Sequence, residues 1–269
     1  MRLCTYRVDG GTRLGEVVGD EVWPLDGTDV ADALAAVPGR IATAPLRLAD
    51  VELAAPLVPG TVLAVGRNFA KHAAELRNEV PESPVVFIKH RGAITAPGGP
   101  VVHPGAGYTR CLDYEVELAV VIGRRAWRVT PADALAHVFG YAILNDVSAR
   151  DLQQSEPQWL RAKGGPTFGP FGPWVTTADE IPDPQALRTR TWINDELRQD
   201  AATGEQLFGV ADIIAWCSES FVLEPGDVIA MGTPEGVGHG LEPPVYLAPG
   251  DRIRMEIDGL GCLRHEVVA

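Results

Sequence analysis

Short alternations of apolar and polar positions, broken by turn signals, fill the first part of the chain. Strands are predicted at Arg2 to Arg7, Leu14 to Val18 and Glu21 to Pro24, divided by Asp9-Gly10-Gly11 and Gly19-Asp20. A short Ala-rich helix is predicted near Val30 to Ala36. Pro56-Leu57-Val58-Pro59-Gly60 has turn chemistry and marks a boundary, which divides a small β-rich N-terminal domain (1–57) from a larger domain (58–269). In the larger part, apolar β-branched runs predict strands at Val62 to Val65, Val85 to Lys89, Glu115 to Ile122, Gly140 to Leu144, Pro173 to Thr176, Arg188 to Ile193, Asp227 to Met231 and Arg252 to Ile257. Helical spacing is confined to Phe69 to Asn78, Pro131 to His137, Ala149 to Gln154 and Val210 to Ser220. These helices are too few for a parallel α/β fold, and 29 Gly and 22 Pro supply many turns. A β-rich α+β fold, rolled or sandwiched rather than doubly wound, is expected.

The strand within Asp113-Tyr114-Glu115-Val116-Glu117-Leu118-Ala119-Val120-Val121-Ile122-Gly123 carries the most chemistry. Side chains two apart share a face, so Glu115 and Glu117 point the same way, with Asp113 behind them. Like charges on so apolar a strand repel and lose solvation if buried. A hard divalent cation (Mg²⁺, Mn²⁺ or Ca²⁺) removes both costs. A solvated edge-strand face would also accommodate them, and these residues alone leave both readings open.

Asn145-Asp146-Val147-Ser148-Ala149-Arg150-Asp151-Leu152-Gln153 follows an apolar strand and opens a helical segment. Asp146, Arg150 and Gln153 would align on one side of a helix. Asp146 can complete a three-carboxylate site with Glu115 and Glu117, or simply cap the helix. In Asn68-Phe69-Ala70-Lys71-His72-Ala73-Ala74-Glu75-Leu76, Asn68 reads as an N-cap, and His72 and Glu75 stand three apart. A His oriented by a carboxylate is a general-base arrangement, although a surface pair without chemistry has the same spacing. Gly232-Thr233-Pro234-Glu235-Gly236-Val237-Gly238 can bring amides and the Thr233 hydroxyl close to an oxyanion, and it does not match nucleotide-binding templates. Lys163 lies in a Gly- and Pro-rich stretch that reads as a mobile loop.

At 269 residues the chain can bury a large core. Its net charge of −13 argues against nucleic acid and anionic membranes, but not against anionic substrates drawn by a metal and local cations. No stretch of 18 apolar residues occurs, and the N-terminus has no leader pattern. A cytoplasmic protein is expected. Cys4, Cys111, Cys217 and Cys262 lack paired or zinc-type spacing and are expected to be reduced core residues.

These segments together resemble the fumarylacetoacetate hydrolase superfamily. The resemblance rests on Gly66-Arg67-Asn68-Phe69 with His72 and Glu75, on Asp113 to Leu118, and on Asn145 to Gln153. Arg161-Ala162-Lys163 with Thr167-Phe168-Gly169-Pro170 adds to it, as do Leu223 to Ile229 and Gly232-Thr233-Pro234. It runs from about Pro59 to the C-terminus, and the N-terminal module fits bacterial members. The resemblance implies that Glu115, Glu117 and Asp146 hold Mg²⁺ or Mn²⁺, and that His72 and Glu75, on a lid, activate water or move a proton. It further implies that Lys163 stabilises an enolate, and that Arg150, Gln153, Gly232 and Thr233 contact a small oxoacid. Two departures stand out: Gly165-Pro166 replaces a common Phe-Asp, and Asn194-Asp195-Glu196 replaces an Asn-Gly-Glu turn. The implied chemistry is an enolate at a metal-chelated 2-oxoacid. C–C hydrolysis of an acylpyruvate or fumarylpyruvate is placed first. Isomerisation, tautomerisation or decarboxylation of 2-hydroxyhepta-2,4-diene-1,7-dioate or oxaloacetate is the alternative. A metal-binding scaffold without turnover would not need His72, Glu75, Lys163 and Thr233 together. A homodimer is expected.

Overall fold

A computed structural model describes residues 1–269. Its spine is a twelve-stranded, mostly antiparallel sheet. From the central strand Val116–Ile122, one side continues through Val138–Asn145 and Gly169–Thr177 to Arg2–Val8 and the N-terminal strands. The other side continues through Val228–Ala230 and Val62–Gly66 to Val85–Lys89. A five-stranded sheet (Glu196–Ala202, Arg188–Ile193, Arg252–Ile257, Gly261–Val268, Val101–Val102) packs against it. The architecture is the β-rich α+β fold expected.

The core lies on both faces of the spine. Val116, Leu118, Val120 and Ile122 enter a cluster that includes Ile253, Met255 and Leu263 of the second sheet and Ile213 and Ile214 of helix Val210–Ser220. Ala119 and Val121 face the opposite way, into a cluster with Leu3, Leu14 and Phe171. Period-two alternation therefore buries every residue of Val116–Ile122, and this explains its continuous apolar run. The strand is central and dry, not a solvated edge.

The structure departs from the sequence expectations in several places. The predicted helix at 30–36 is a 3₁₀ turn, Val30–Ala33, capped by the Asp29 carboxylate, which accepts from Ala31 N at 2.8 Å. Pro38 disfavours helical geometry at Val37 and leaves no room for a longer helix. Strands Glu196–Ala202 and Gly261–Val268 escaped prediction; the former is largely polar and buries only Gln199 and Ala201. Asn194 and Asp195 form the hairpin turn before it, with φ of 51° and 70°, a left-handed pair that Asx residues tolerate. Asn68 does not cap the following helix, whose N-cap is Phe69. Its side chain donates to the Phe208 and Met231 carbonyls and accepts from Phe208 N, joining two distant loops. Only Cys4 and Cys217 are fully buried, and all four cysteines are free.

Candidate active site

Glu115 and Glu117 stand at the start of the central strand, on the face of Ala119 and Val121. The neighbouring strand Val138–Asn145 ends beside them, and the next residue is Asp146. The Asp146 N–H donates to the Glu115 carbonyl at 2.9 Å. Asp146 therefore continues the pairing between the strands and does not share a helix with Arg150 and Gln153. Helix Arg150–Ser155 begins after it with Ala149 as N-cap. One carboxylate oxygen from each of Glu115, Glu117 and Asp146 lies within 4.8 Å of the other two, and all three residues are buried.

Three buried cations face this cluster. Lys163 is not in a mobile loop: it ends a short helix, Leu160–Lys163, and is 2% exposed. Its Nζ donates to Glu115 Oε2 (2.7 Å), Asp146 Oδ2 (2.5 Å) and Ser148 Oγ (2.9 Å), which uses all three donors. Burial disfavours its charge, but the Asp146 and Glu115 carboxylates outweigh that and hold it protonated. Lys89, at the end of its strand, donates to Asp146 Oδ1 at 2.7 Å and to the Lys163 carbonyl. Arg150 donates through Nε to Asp113 Oδ2 (2.8 Å) and through Nη1 to Gln153 Oε1 (3.0 Å), and its Nη1 pairs with Glu115 Oε1 at 2.6 Å. Its Nη2 is buried with no partner in the protein.

Glu115 and Glu117 are thereby pushed in opposite directions. Burial would raise the pKa of Glu115, but Lys163 and Arg150 hold it well below the usual carboxylate range. Glu117 is pushed well above that range by burial and by the charges of Asp146 and Glu115. Its bonded neighbour is the Gly232 N–H at 2.8 Å, a donor without charge. A buried carboxylate left without a counter-cation, beside two others, is what a hard divalent cation would neutralise, so the donor set fits one.

The loop after strand Val228–Ala230 holds the site's own acids. Gly232 N–H binds Glu117, Gly236 N–H binds Glu75 Oε2 (2.9 Å), and the Gly238 and His239 N–H groups bind Asp113 (2.8 and 3.0 Å). The glycines do bring amides to oxyanions, but the oxyanions are protein carboxylates. Gly236 has φ of 96°, and a Cβ there would lie 1.9 Å from the Arg198 carbonyl oxygen. The Thr233 hydroxyl accepts from Gln199 Nε2 at 2.8 Å, leaving its proton free. On helix Ala70–Glu75, His72 is 6% exposed and its Nδ1 lies 2.8 Å from Glu75 Oε1. The pair is part of the site, not a surface feature.

A cavity of about 330 Å³ is lined by His72, Glu115, Glu117, Arg150, Gln153, Lys163 and Thr233 among others. Gly232 and Glu75 stand behind it through the contacts above, and Asp146 does so through Lys163. Arg67, Trp159 and His239 also line the cavity and Lys89 lies beneath it, none of them with a role expected from the sequence. Lys89 carried a faint signal, a lone charge two residues beyond Phe87 on one strand face; Trp159 and His239 lie in segments with no readable period.

The fumarylacetoacetate (FAA) hydrolase C-terminal family model matches residues 61–268. Oxaloacetate tautomerase YisK of Bacillus subtilis (strain 168) is 40% identical over 224 residues, covering 82% of this chain and 74% of that protein. The fumarylacetoacetate hydrolase EaFAH from psychrophilic Exiguobacterium antarcticum superposes with a TM-score of 0.91 at 39% identity, covering 100% of this chain and 99% of its own. The 2-hydroxyhepta-2,4-diene-1,7-dioate isomerase from Mycobacterium marinum does so with a TM-score of 0.83 at 35% identity, covering 100% and 98%. With the family model spanning the whole catalytic region and relatives this similar, the chain belongs to the fumarylacetoacetate hydrolase family of enzymes.

Proposed function

We propose that this enzyme catalyses keto–enol tautomerisation of a small 2-oxo dicarboxylic acid of the oxaloacetate type. Glu115, Glu117 and Asp146 would hold Mg²⁺ or Mn²⁺, with Ca²⁺ also compatible with an all-carboxylate set. When bound, the cation polarises the substrate carbonyl and acidifies the neighbouring C–H. The observation that carries the proposal is the His72–Glu75 pair facing, with the carboxylate cluster, a small and mostly polar cavity. Glu75 accepts the proton on Nδ1, which leaves the Nε2 lone pair of His72 to take a proton from carbon and return it to the enol oxygen. One C–H bond breaks, one O–H bond forms, and the double bond moves from C=O to C=C. Lys163 keeps its charge beside the reacting oxygens, and the free Nη2 of Arg150 offers a donor to a carboxylate.

The same pair could instead activate water for C–C hydrolysis, the reading placed first from sequence. Two features favour proton transfer alone. Of the three relatives named above, two bear the names of an oxaloacetate tautomerase and a dioate isomerase and one that of a hydrolase. The apolar part of the wall is limited to Val65, Leu76, Phe87 and Trp159, a poor fit for a long acyl chain. Purified protein with Mg²⁺ or Mn²⁺ should accelerate conversion of enol- to keto-oxaloacetate, followed by ultraviolet absorbance, with carbon count unchanged by NMR. Cleavage of acylpyruvates without that acceleration would replace this reading with hydrolysis. A homodimer remains the expected assembly; exposed Trp127, Leu135 and Trp216 offer apolar surface, and light scattering at micromolar concentration would detect a monomer instead.

A further inference from the structure

Arg67 is the cavity-lining guanidinium without a carboxylate. Arg150 and Lys163 are tied to Asp113, Glu115 and Asp146, but no carboxylate lies within 4.0 Å of Arg67. Its backbone is unusual as well, because φ is 55°, a left-handed conformation that residues with a Cβ rarely adopt. Such strain in a half-buried arginine on a cavity wall points toward use, since glycine would sit there more easily. Its neighbours set its direction. A Cβ at Gly66 would lie 2.5 Å from Trp159 Cζ3, so this glycine lets the indole close on the chain. Trp159 also packs edge-on against Phe87 with centroids 5.1 Å apart, and the Arg67 guanidinium lies 5.9 Å from the indole centroid. The side chain is thus laid along the wall beside the site without being consumed by it.

Charge points to its ligand. Around the cavity Glu75, Asp113, Glu115, Glu117 and Asp146 outnumber Lys89, Lys163 and Arg150, and a bound divalent cation would just balance them. A 2-oxo diacid brings two more negative charges, and the acid group beside its keto carbon can meet the cation and the free Nη2 of Arg150. The second carboxylate then has Arg67 as its remaining arginine or lysine partner in the lining.

We propose that Arg67 receives the second carboxylate and selects 2-oxo diacids over monoacids or esters, an inference that rests on the tautomerase reading for its substrate class. The test is calorimetric binding to Mg²⁺-loaded protein of 3,3-dimethyloxaloacetate, which has no C3 hydrogen, and of its 4-methyl ester. The natural protein should prefer the diacid by roughly 10- to 100-fold, the worth of a hydrogen bond between charged groups. Arg67→Gln should bring the two ligands near parity, Arg67→Lys should recover part of the preference, and oxaloacetate KM should rise in both more than kcat falls. Arg67→Gly should lose the preference yet melt no lower than the natural protein, because glycine suits this backbone. A preference that survives Arg67→Gln would overturn the proposal. So would equal weakening of diacid and ester together with a lower melting temperature, which would mark a structural role. Diacid selectivity that depends on Arg67, in a protein that does not turn over oxaloacetate, would uphold the proposal and sink the tautomerase reading alone.

Discussion

Glu117 is the residue whose surroundings say most about the charge that a bound cation would supply. Buried, flanked by two carboxylates and bonded to a neutral amide, its ionised form destabilises the metal-free protein. Glu117→Gln keeps the shape and the Gly232 contact but removes the charge. The metal-free variant should therefore melt at or above the natural protein, while losing the metal-induced rise. For the natural protein that rise should correspond to about 2.7 kcal/mol at a metal concentration 100-fold above Kd. Scanning calorimetry with and without Mg²⁺ checks this, and a rise retained in Glu117→Gln would exclude Glu117 as a ligand. His72 poses the complementary question. His72→Ala should lower turnover by about 10²–10⁴-fold, the usual range for general acid–base catalysis, without loss of metal affinity. Full activity in this variant would remove proton transfer from the dyad.

Short elements place these residues more than long ones do. The six-residue helix Ala70–Glu75 carries the dyad, and its Glu75 is fixed from outside by Gly236 N–H. Gly236→Ala would drive a Cβ against the Arg198 carbonyl at a φ that only glycine accepts readily. It should cost about 1–3 kcal/mol or more in stability from overpacking and strain. It should also lower turnover by releasing Glu75, and thermal melting with steady-state kinetics reads both. An unaffected melting temperature would show that the loop relaxes freely and does not fix the dyad. The helix ending at Lys163 makes a similar point. Thr167, with φ of 66°, turns the chain just beyond Gly165-Pro166, and the Phe168 N–H donates to the Gly165 carbonyl at 3.1 Å. The chain therefore closes this turn without the more common Phe-Asp.

Across the whole molecule, polar contacts join the two sheets at the site. The Asn145 side chain accepts from Glu115 N–H at 3.0 Å and donates to His265 Nε2 at 2.8 Å, so the second sheet helps aim the first carboxylate. Burial pushes the His265 pKa down to about 3 from its ordinary 6.5. Above 6.5 the ring is neutral in both folded and unfolded chains; below it only the unfolded chain takes up the proton. Stability should therefore fall by at most about 1.4 kcal/mol per pH unit between 6.5 and 3 through this residue. His265→Gln, which keeps an acceptor for Asn145, should flatten that part of the melting profile; an unchanged acid slope would show that His265 titrates freely. The sequence by itself determined the features that depend on a few adjacent residues. Period two put Glu115 and Glu117 on one face, i,i+3 spacing paired His72 with Glu75, and Asn194-Asp195 made a left-handed turn. Only the tertiary structure decided which charges meet. Lys89 reaches Asp146 across 57 positions and Gly238 reaches Asp113 across 125. Such contacts depend on how the sheets close and on which groups lose water together, and neither is written in local spacing. The same closure made Asp146 a strand end and Lys163 a buried cation, and it left Arg67 without a carboxylate beside the cavity.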